Sequence, residues 1–273
     1  MSRLTMFQEP NTASLPPGSF LHQRTSPKLK SVPNSIDLAF PYQLFVPENY
    51  ERGYSYPLVV WLHSDASSEM ELENVMNALS RRNYIAIAPR SNLKSRGHQY
   101  RYRWGASATD CAVAEDLVWN SVSAVADCMS VNLNRVFVAG FGGGGSMAQW
   151  IGLKYASQIA GAVSLLGTFP NTPQSLSNWK HARRLKALFV QRQGSTLCSD
   201  EEFARALKIA HQSGLQYRFL QAQAQTLDDD PNGLDASMLE AANRFMMSIV
   251  TGIDLPLTPE KTCDNEQVSF GSN

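Results

Sequence analysis

The chain has 273 residues, equal numbers of basic and acidic side chains (24 each), and 43% hydrophobic residues. That length and composition suit one α/β domain with a large buried core. A formal net charge of zero excludes the broad basic footprint expected of a protein that binds nucleic acid or an anionic membrane.

Residues 1–36 are rich in Pro, Ser, Thr and Asn and lack periodicity. They read as a flexible N-terminal arm. The start of the chain has no apolar stretch of the kind a signal peptide carries, and no run approaches the ~18 apolar residues needed to span a bilayer. The expectation is a cytoplasmic protein.

From residue 37, strand and helix signals alternate. "FPYQLFVP" (40–47) is a proline-bounded strand, and "YPLVVWLH" (56–63) is a continuous apolar run suited to a strand covered on both faces. Leu72, Val75, Met76 and Leu79 share one face of a helix over 68–81. "YIAIAP" (84–89) is a strand, 91–109 a long polar loop, and 111–129 a helix. "RVFVAGF" (135–141) is a strand, and 144–157 the helix after it. "AGAVSLLG" (160–167) is a strand and 168–184 is irregular. "ALFVQ" (187–191), a helix over 199–213, "YRFLQ" (217–221) and a helix over 234–251 complete the domain. Residues 253–273 read as a flexible tail. Strands alternating with helices predict an α/β fold, a mostly parallel central sheet with helices on both faces. Ligands of such sheets sit beyond the carboxyl ends of the strands.

Three stretches carry a resemblance to a known family. They are "PLVVWLHSDAS", "NYIAIAPR" and above all "NRVFVAGFGGGGSMAQWIGLKY". Together they resemble the α/β-hydrolase superfamily, and more narrowly its phospholipase/carboxylesterase group, which includes feruloyl-esterase-like members. The resemblance covers about residues 37–252. It implies a strand–turn–helix elbow carrying a nucleophilic serine, followed in chain order by an acid and a histidine. In that register Gly142 stands at the nucleophile and Ser195 at the acid. The last loop, "AQAQTLDDDPNG", has no histidine, and Gln225 is its nearest match. Without a base, a hydroxyl near neutral pH is a poor nucleophile.

The expectation is therefore a pseudo-esterase. It would keep a pocket for a small acyl or aromatic ligand, lined by His63, Ser64, Asp65, Trp104, Phe141 and Gly143, or bind a protein partner. The Gly143 N–H and an N–H near Ser64 or Asp65 would form a residual oxyanion hole. Two alternatives stand beside it. One is an active carboxylic-ester hydrolase with Ser146 as a displaced nucleophile, served by His63 or by a base the sequence does not locate. The other is a scaffold acting through its arms.

Other features carry blander readings. Gly142–Gly145 could cradle a phosphate, but no Lys-Ser/Thr pair follows, as a P-loop requires. Asp228, Asp230, Asn232 and Gly233 match half of a calcium loop, but the closing position 239 is Leu. Asp200 reads as a helix cap. His98 and His181 read as exposed. Tyr100, Tyr102 and Trp104 either line a cleft or pin the 91–109 loop. Cys111, Cys128, Cys198 and Cys263 contain no CxxC pair, which argues against zinc and a dense disulfide framework. No metal or cofactor is expected.

Overall fold

A computed structural model describes residues 3–6, 36–169, 182–212, 214–222 and 230–258. In chain order the strands are β1 (Arg3–Met6), β2 (Tyr42–Val46), β3 (Tyr56–Leu62), β4 (Ile85–Pro89), β5 (Leu93–Lys94), β6 (Tyr102–Arg103), β7 (Val131–Phe141), β8 (Gly161–Leu165), β9 (Lys186–Arg192) and β10 (Gln216–Ala222). The helices are α1 (Leu72–Leu79), α2 (Ala108–Cys128), α3 (Gly143–Lys154), α4 (Asp200–Gln212) and α5 (Ala236–Thr251). A short 3₁₀ turn, Glu69–Glu71, precedes α1.

The main sheet has eight strands in the order β1-β2-β4-β3-β7-β8-β9-β10. From β4 to β10 every neighbouring pair is parallel, and β2 runs antiparallel to β4. The mostly parallel sheet expected from the alternating pattern is present. Its strands bury alternate residues on opposite faces. Leu58, Val60 and Leu62 of β3 join a core with α2, α3 and α4, while Val59 and Trp61 join a second core with α1 and α5. This two-sided cover is why β3 reads as unbroken hydrophobic sequence rather than alternating sequence.

Four differences from the sequence reading have local causes. Arg3–Met6, inside the N-terminal arm, pairs antiparallel with β2; four residues are too few for a period to register. The 91–109 loop contains the β5–β6 hairpin, paired Leu93↔Arg103 and Lys94↔Tyr102. Ser107 caps α2, accepting from Asp110 N–H while the Asp110 carboxylate accepts from Ser107 N–H, so that helix starts earlier than its apolar stripe. Ser199, not Asp200, caps α4 through the same reciprocal pair with Glu202. Asp200 instead accepts from Gln191 Nε2 of β9. His181 and most of 168–184 lie outside the described residues. Among the described residues no helix is long and apolar enough to cross a membrane.

One buried polar knot ties α2 to α3. The Glu115 carboxylate, 5% exposed, accepts from Trp150 Nε1 at 2.8 Å, Lys154 Nζ at 2.6 Å and Tyr155 Oη at 2.9 Å. Burial first, and then the bond to Glu115, push the Tyr155 phenol up to about 12. A phenol whose folded value is raised contributes stability that is complete below its unfolded value near ~10 and is lost as pH climbs through the folded value. Stability from this group should therefore fall between about pH 10 and pH 12. Urea unfolding across that range should show a shallower fall for Tyr155→Phe than for the parent chain. Glu115→Ala should cost about 1–3 kcal/mol at pH 7, because it leaves the Trp150 and Tyr155 donors unpaired.

Candidate functional site

The site is the strand-to-helix turn between β7 and α3. Gly142 has φ 55° and ψ −122°, a conformation that costs a residue with a Cβ about 1–3 kcal/mol. It donates its N–H to Leu165 O at 2.8 Å, and its own carbonyl accepts from Ser146 N–H at 3.0 Å. Among the described residues, a Cβ placed on Gly142 would meet only Leu197 Cδ1, at 3.7 Å, an ordinary van der Waals contact. The geometry is a sharp strand-to-helix turn whose outer residue is glycine.

The turn can be this sharp because backbones approach closely on its inner side. A Cβ on Gly140 would come within 2.8 Å of Leu62 O, and one on Gly144 within 2.5 Å of His63 O. These two glycines let α3 lie directly on the end of β3.

The position after the elbow supplies a free N–H at the start of a helix, where anions are favoured. That donor is already used. Gly143 N–H donates to Asp65 Oδ2 at 3.2 Å. The Ser64 N–H is used as well: it donates to Glu71 Oε2 at 3.1 Å, and the Ser64 hydroxyl also donates to Glu71. The Glu71 carboxylate further accepts from Trp61 Nε1 at 2.9 Å. Of the N–H groups expected to line a residual oxyanion hole, those of Gly143 and Ser64 therefore have carboxylate partners within the chain. Asp65 reaches Gly143 from a loop in which the next residue, Ala66, holds a positive φ of 57°.

His63 is fully buried and has no free nitrogen. Nδ1 lies 2.9 Å from Ser64 O, and Nε2 accepts from Ser91 N–H at 3.2 Å. Burial holds its imidazole below the usual value, opposed by the bond to Ser64 O. It is a structural histidine, not a base for Ser146. Ser146 is half-buried. Its hydroxyl accepts from Thr168 N–H at 2.9 Å and lies 3.1 Å from Thr168 Oγ1, so it ties α3 to the chain after β8.

Trp104 donates to His63 O at 2.8 Å and packs against the His63 ring, with centroids 5.1 Å apart and planes tilted by 36°, so it pins its loop. Tyr102 does the same beneath Arg90, whose guanidinium lies 4.9 Å from the tyrosine ring and is ion-paired to the buried Glu69. Phe141 is 5% exposed and belongs to the core shared with α1 and α5. Trp104 and Phe141 are thus packing residues rather than the walls of a ligand pocket. Tyr100 and His98 are exposed. A cavity of about 260 Å³ lies at the opposite end of the sheet, lined by Tyr54, Tyr56, Arg82 and Met247 among others.

Ser195 stands just past β9 and is 5% exposed. In a catalytic triad an acid at this place would bond the histidine. Here Ser195 Oγ donates to Asn232 Oδ1 at 3.0 Å, and Thr196 N–H donates to the same oxygen at 2.8 Å. The residue brought against the acid position is therefore Asn232, three residues before Asp235, the N-cap of α5. Gln225, the sequence match, lies outside the described residues, as does Asp228 of the calcium-like run. The signal that could have singled out Asn232 is that cap: Asp235 accepts from Met238 N–H and fixes where α5 begins. Arg192, buried on β9, anchors the same loop by donating to Asp230 O at 2.7 Å and pairing with Asp235. Among the described residues no cluster of three or more His, Cys, Asp or Glu could hold a metal ion.

No family model matches the chain, and no curated protein sequence does. Solved structures do match. SOBER1 of Arabidopsis thaliana is 15% identical, with a TM-score of 0.61 over 72% of this chain and 100% of its own. A phospholipase/carboxylesterase of Dyadobacter fermentans is 13% identical, with a TM-score of 0.57 over 78% and 100%. A Bacillus cereus carboxylesterase is 12% identical, with a TM-score of 0.59 over 77% and 94%. The chain has the α/β-hydrolase fold.

Two substitutions separate packing from conformation at the elbow. Gly142→Ser has room for its side chain but keeps a positive φ, so it should lower stability by about 1 kcal/mol after the entropy gained in the unfolded chain. Gly144→Ala forces a Cβ against backbone carbonyls and should cost about 3 kcal/mol or prevent folding. Equilibrium urea unfolding measures both, and a Gly142→Ser more stable than the parent would contradict the strained elbow.

Proposed function

We propose that this chain is a non-catalytic α/β-hydrolase-fold protein, a pseudo-esterase that acts by binding a protein partner. The observation that carries the reading is Gly142: the elbow keeps its turn, and its tip holds no nucleophile. Two further features support it. Ser195 pairs with Asn232, so among the described residues neither a carboxylate nor an imidazole bonds Ser195. Asp65 takes the Gly143 N–H, so a negative side chain sits where a reaction would develop negative charge. That charge also disfavours a small acyl ligand at the elbow, which is why a protein partner is the better reading of the two.

The alternative of an active ester hydrolase through Ser146 is less favoured, because among the described residues that hydroxyl bonds Gly142 O and Thr168 and no base. The purified chain should hydrolyse nitrophenyl acetate no faster than a control protein of equal lysine content, and should not be labelled by a fluorophosphonate. Turnover above the control that is lost in Ser146→Ala would overturn the proposal.

Rebuilding the site tests each missing part in turn. The threefold variant Gly142→Ser, Ser195→Asp, Asn232→His supplies the reacting groups but leaves Asp65 on the oxyanion donor. Adding Asp65→Gly frees that donor. Labelling by the fluorophosphonate should then rise by about 100-fold over the threefold variant, the effect of one oxyanion-hole hydrogen bond. Equal labelling of the two would show that Asp65 does not block the Gly143 N–H.

A further inference from the structure

The charge of the chain balances overall but not locally. No acidic residue occurs between Glu73 and Asp110, and the β5–β6 hairpin in this interval carries Lys94, Arg96, Arg101 and Arg103. All four are exposed. Several cations elsewhere are paired, Arg81 with Glu48, Arg90 with Glu69, Lys154 with Glu115 and Arg244 with Glu240, while single exposed cations such as Arg205 and Lys208 of α4 are not ion-paired among the described residues; the hairpin differs in clustering four of them on one ribbon. None of the four hairpin cations has an ion pair among the described residues. Tyr100, 75% exposed, lies among them near the tip.

The hairpin is also held firmly. Ser95 N–H donates to Arg101 O at 2.8 Å, Tyr102 N–H to Ser67 O at 2.7 Å, and Ser91 Oγ to Arg103 O at 2.6 Å. Its buried anchor is Tyr102, packed under the Arg90–Glu69 pair. The cations thus project from a fixed ribbon instead of a loose loop, which lowers the cost of ordering them on binding.

We infer that the β5–β6 hairpin is a docking site for an acidic, carboxylate-rich segment of a protein partner. The ligand chemistry follows from the side chains. Three of the four cations are arginines, whose planar fork matches a carboxylate with two parallel hydrogen bonds. Cross-strand partners share a face, so the pairing Leu93↔Arg103 puts Arg101 and Arg103 on one face, while Lys94, opposite Tyr102, is on the other. A flat bilayer meets one face of a ribbon, whereas an extended acidic chain can reach both. The tip residues from Ser95 to Gln99 offer no apolar aliphatic side chain to bury in lipid, and Tyr100 is the one exposed aromatic beside them, fewer apolar groups than an interfacial anchor carries. Nucleic acid calls for a wider basic surface than one hairpin on a chain of zero net charge. This inference extends the partner-binding reading but is tested separately from the loss of catalysis, which the nitrophenyl and fluorophosphonate assays address.

The experiment is fluorescence anisotropy on the full chain with a labelled octaglutamate peptide in 50 mM NaCl. Parallel arms use phosphatidylserine–phosphatidylcholine vesicles and an oligothymidylate. The variant is Arg101→Glu with Arg103→Glu. Its control is Arg205→Glu with Lys208→Glu, exposed positions on α4 with the same change of charge. The expected result is saturable peptide binding that weakens at least about tenfold in the hairpin variant. It should change less than about twofold in the control and weaken as salt is raised. No peptide binding, equal losses in both variants, or tighter binding to vesicles or oligothymidylate would overturn the inference.

Discussion

The arrangement of the site depends on one steric constraint: the backbone of β7 and α3 crosses the end of β3 with no room for side chains. Gly140 and Gly144 meet the carbonyls of Leu62 and His63 at distances a Cβ could not share. That crossing sets where Gly142 turns, where α3 begins, and how closely the 63–71 loop lies over both. Interiors packed to crystal-like density transmit such constraints rather than absorb them. The elbow is therefore held by the fold whether or not anything reacts at its tip.

Given that crossing, the N–H groups at the start of α3 and after β3 face the carboxyl ends of the strands and need acceptors. In this chain carboxylates supply them. Asp65 meets Gly143 and Glu71 meets Ser64, while Arg90 and Glu69 hold the neighbouring loop. The bonds to Gly143 and Ser64 are charge-assisted, which makes them stronger than neutral ones. They also rigidify the loops above the sheet. The local result is a surface whose donors are satisfied internally, in contrast to the hairpin beside it, whose cations are not.

The fold was legible in the sequence because β3, β4, β7, β8 and β9 are buried on both faces and read as short apolar runs between helical stripes. The glycine register around 140–145 was legible for the same physical reason: bulk is excluded there, and the residues say so directly. What stayed hidden depends on contacts between distant segments. Asp65 and Glu71 look like ordinary loop and first-turn acids, and only the crossing of β3 and β7 turns them into partners of Gly143 and Ser64. Asn232 stands against Ser195 because Asp235 fixes where α5 starts, which matching by position in a long loop does not read, while Gln225 lies outside the described residues. The β5–β6 hairpin was hidden because two-residue strands carry no period, and β1 because four residues carry little more.

The likeness of the 136–148 stretch to an esterase elbow therefore has two separable parts. One part is packing: Gly140 and Gly144 are needed wherever a helix sits this close to a neighbouring strand, with or without chemistry. The other part is function, and it rests on what stands at 142, 195 and 232. At the tip the two parts pull in opposite directions. A serine there must hold a positive φ against its Cβ, a strain that catalysis would justify and packing would not. Glycine reaches the same φ without that clash, so a chain that keeps the crossing but not the reaction is more stable with glycine at 142 as long as the relief exceeds the extra entropy lost on folding. Among the described residues only Leu197 lies near a Cβ at 142, so packing alone does not require glycine there; the positive φ does. A glycine at an elbow tip is thus compatible with an intact hydrolase fold, and the fold carries no information about turnover until the side chains at its tip and in its two partner loops have been read.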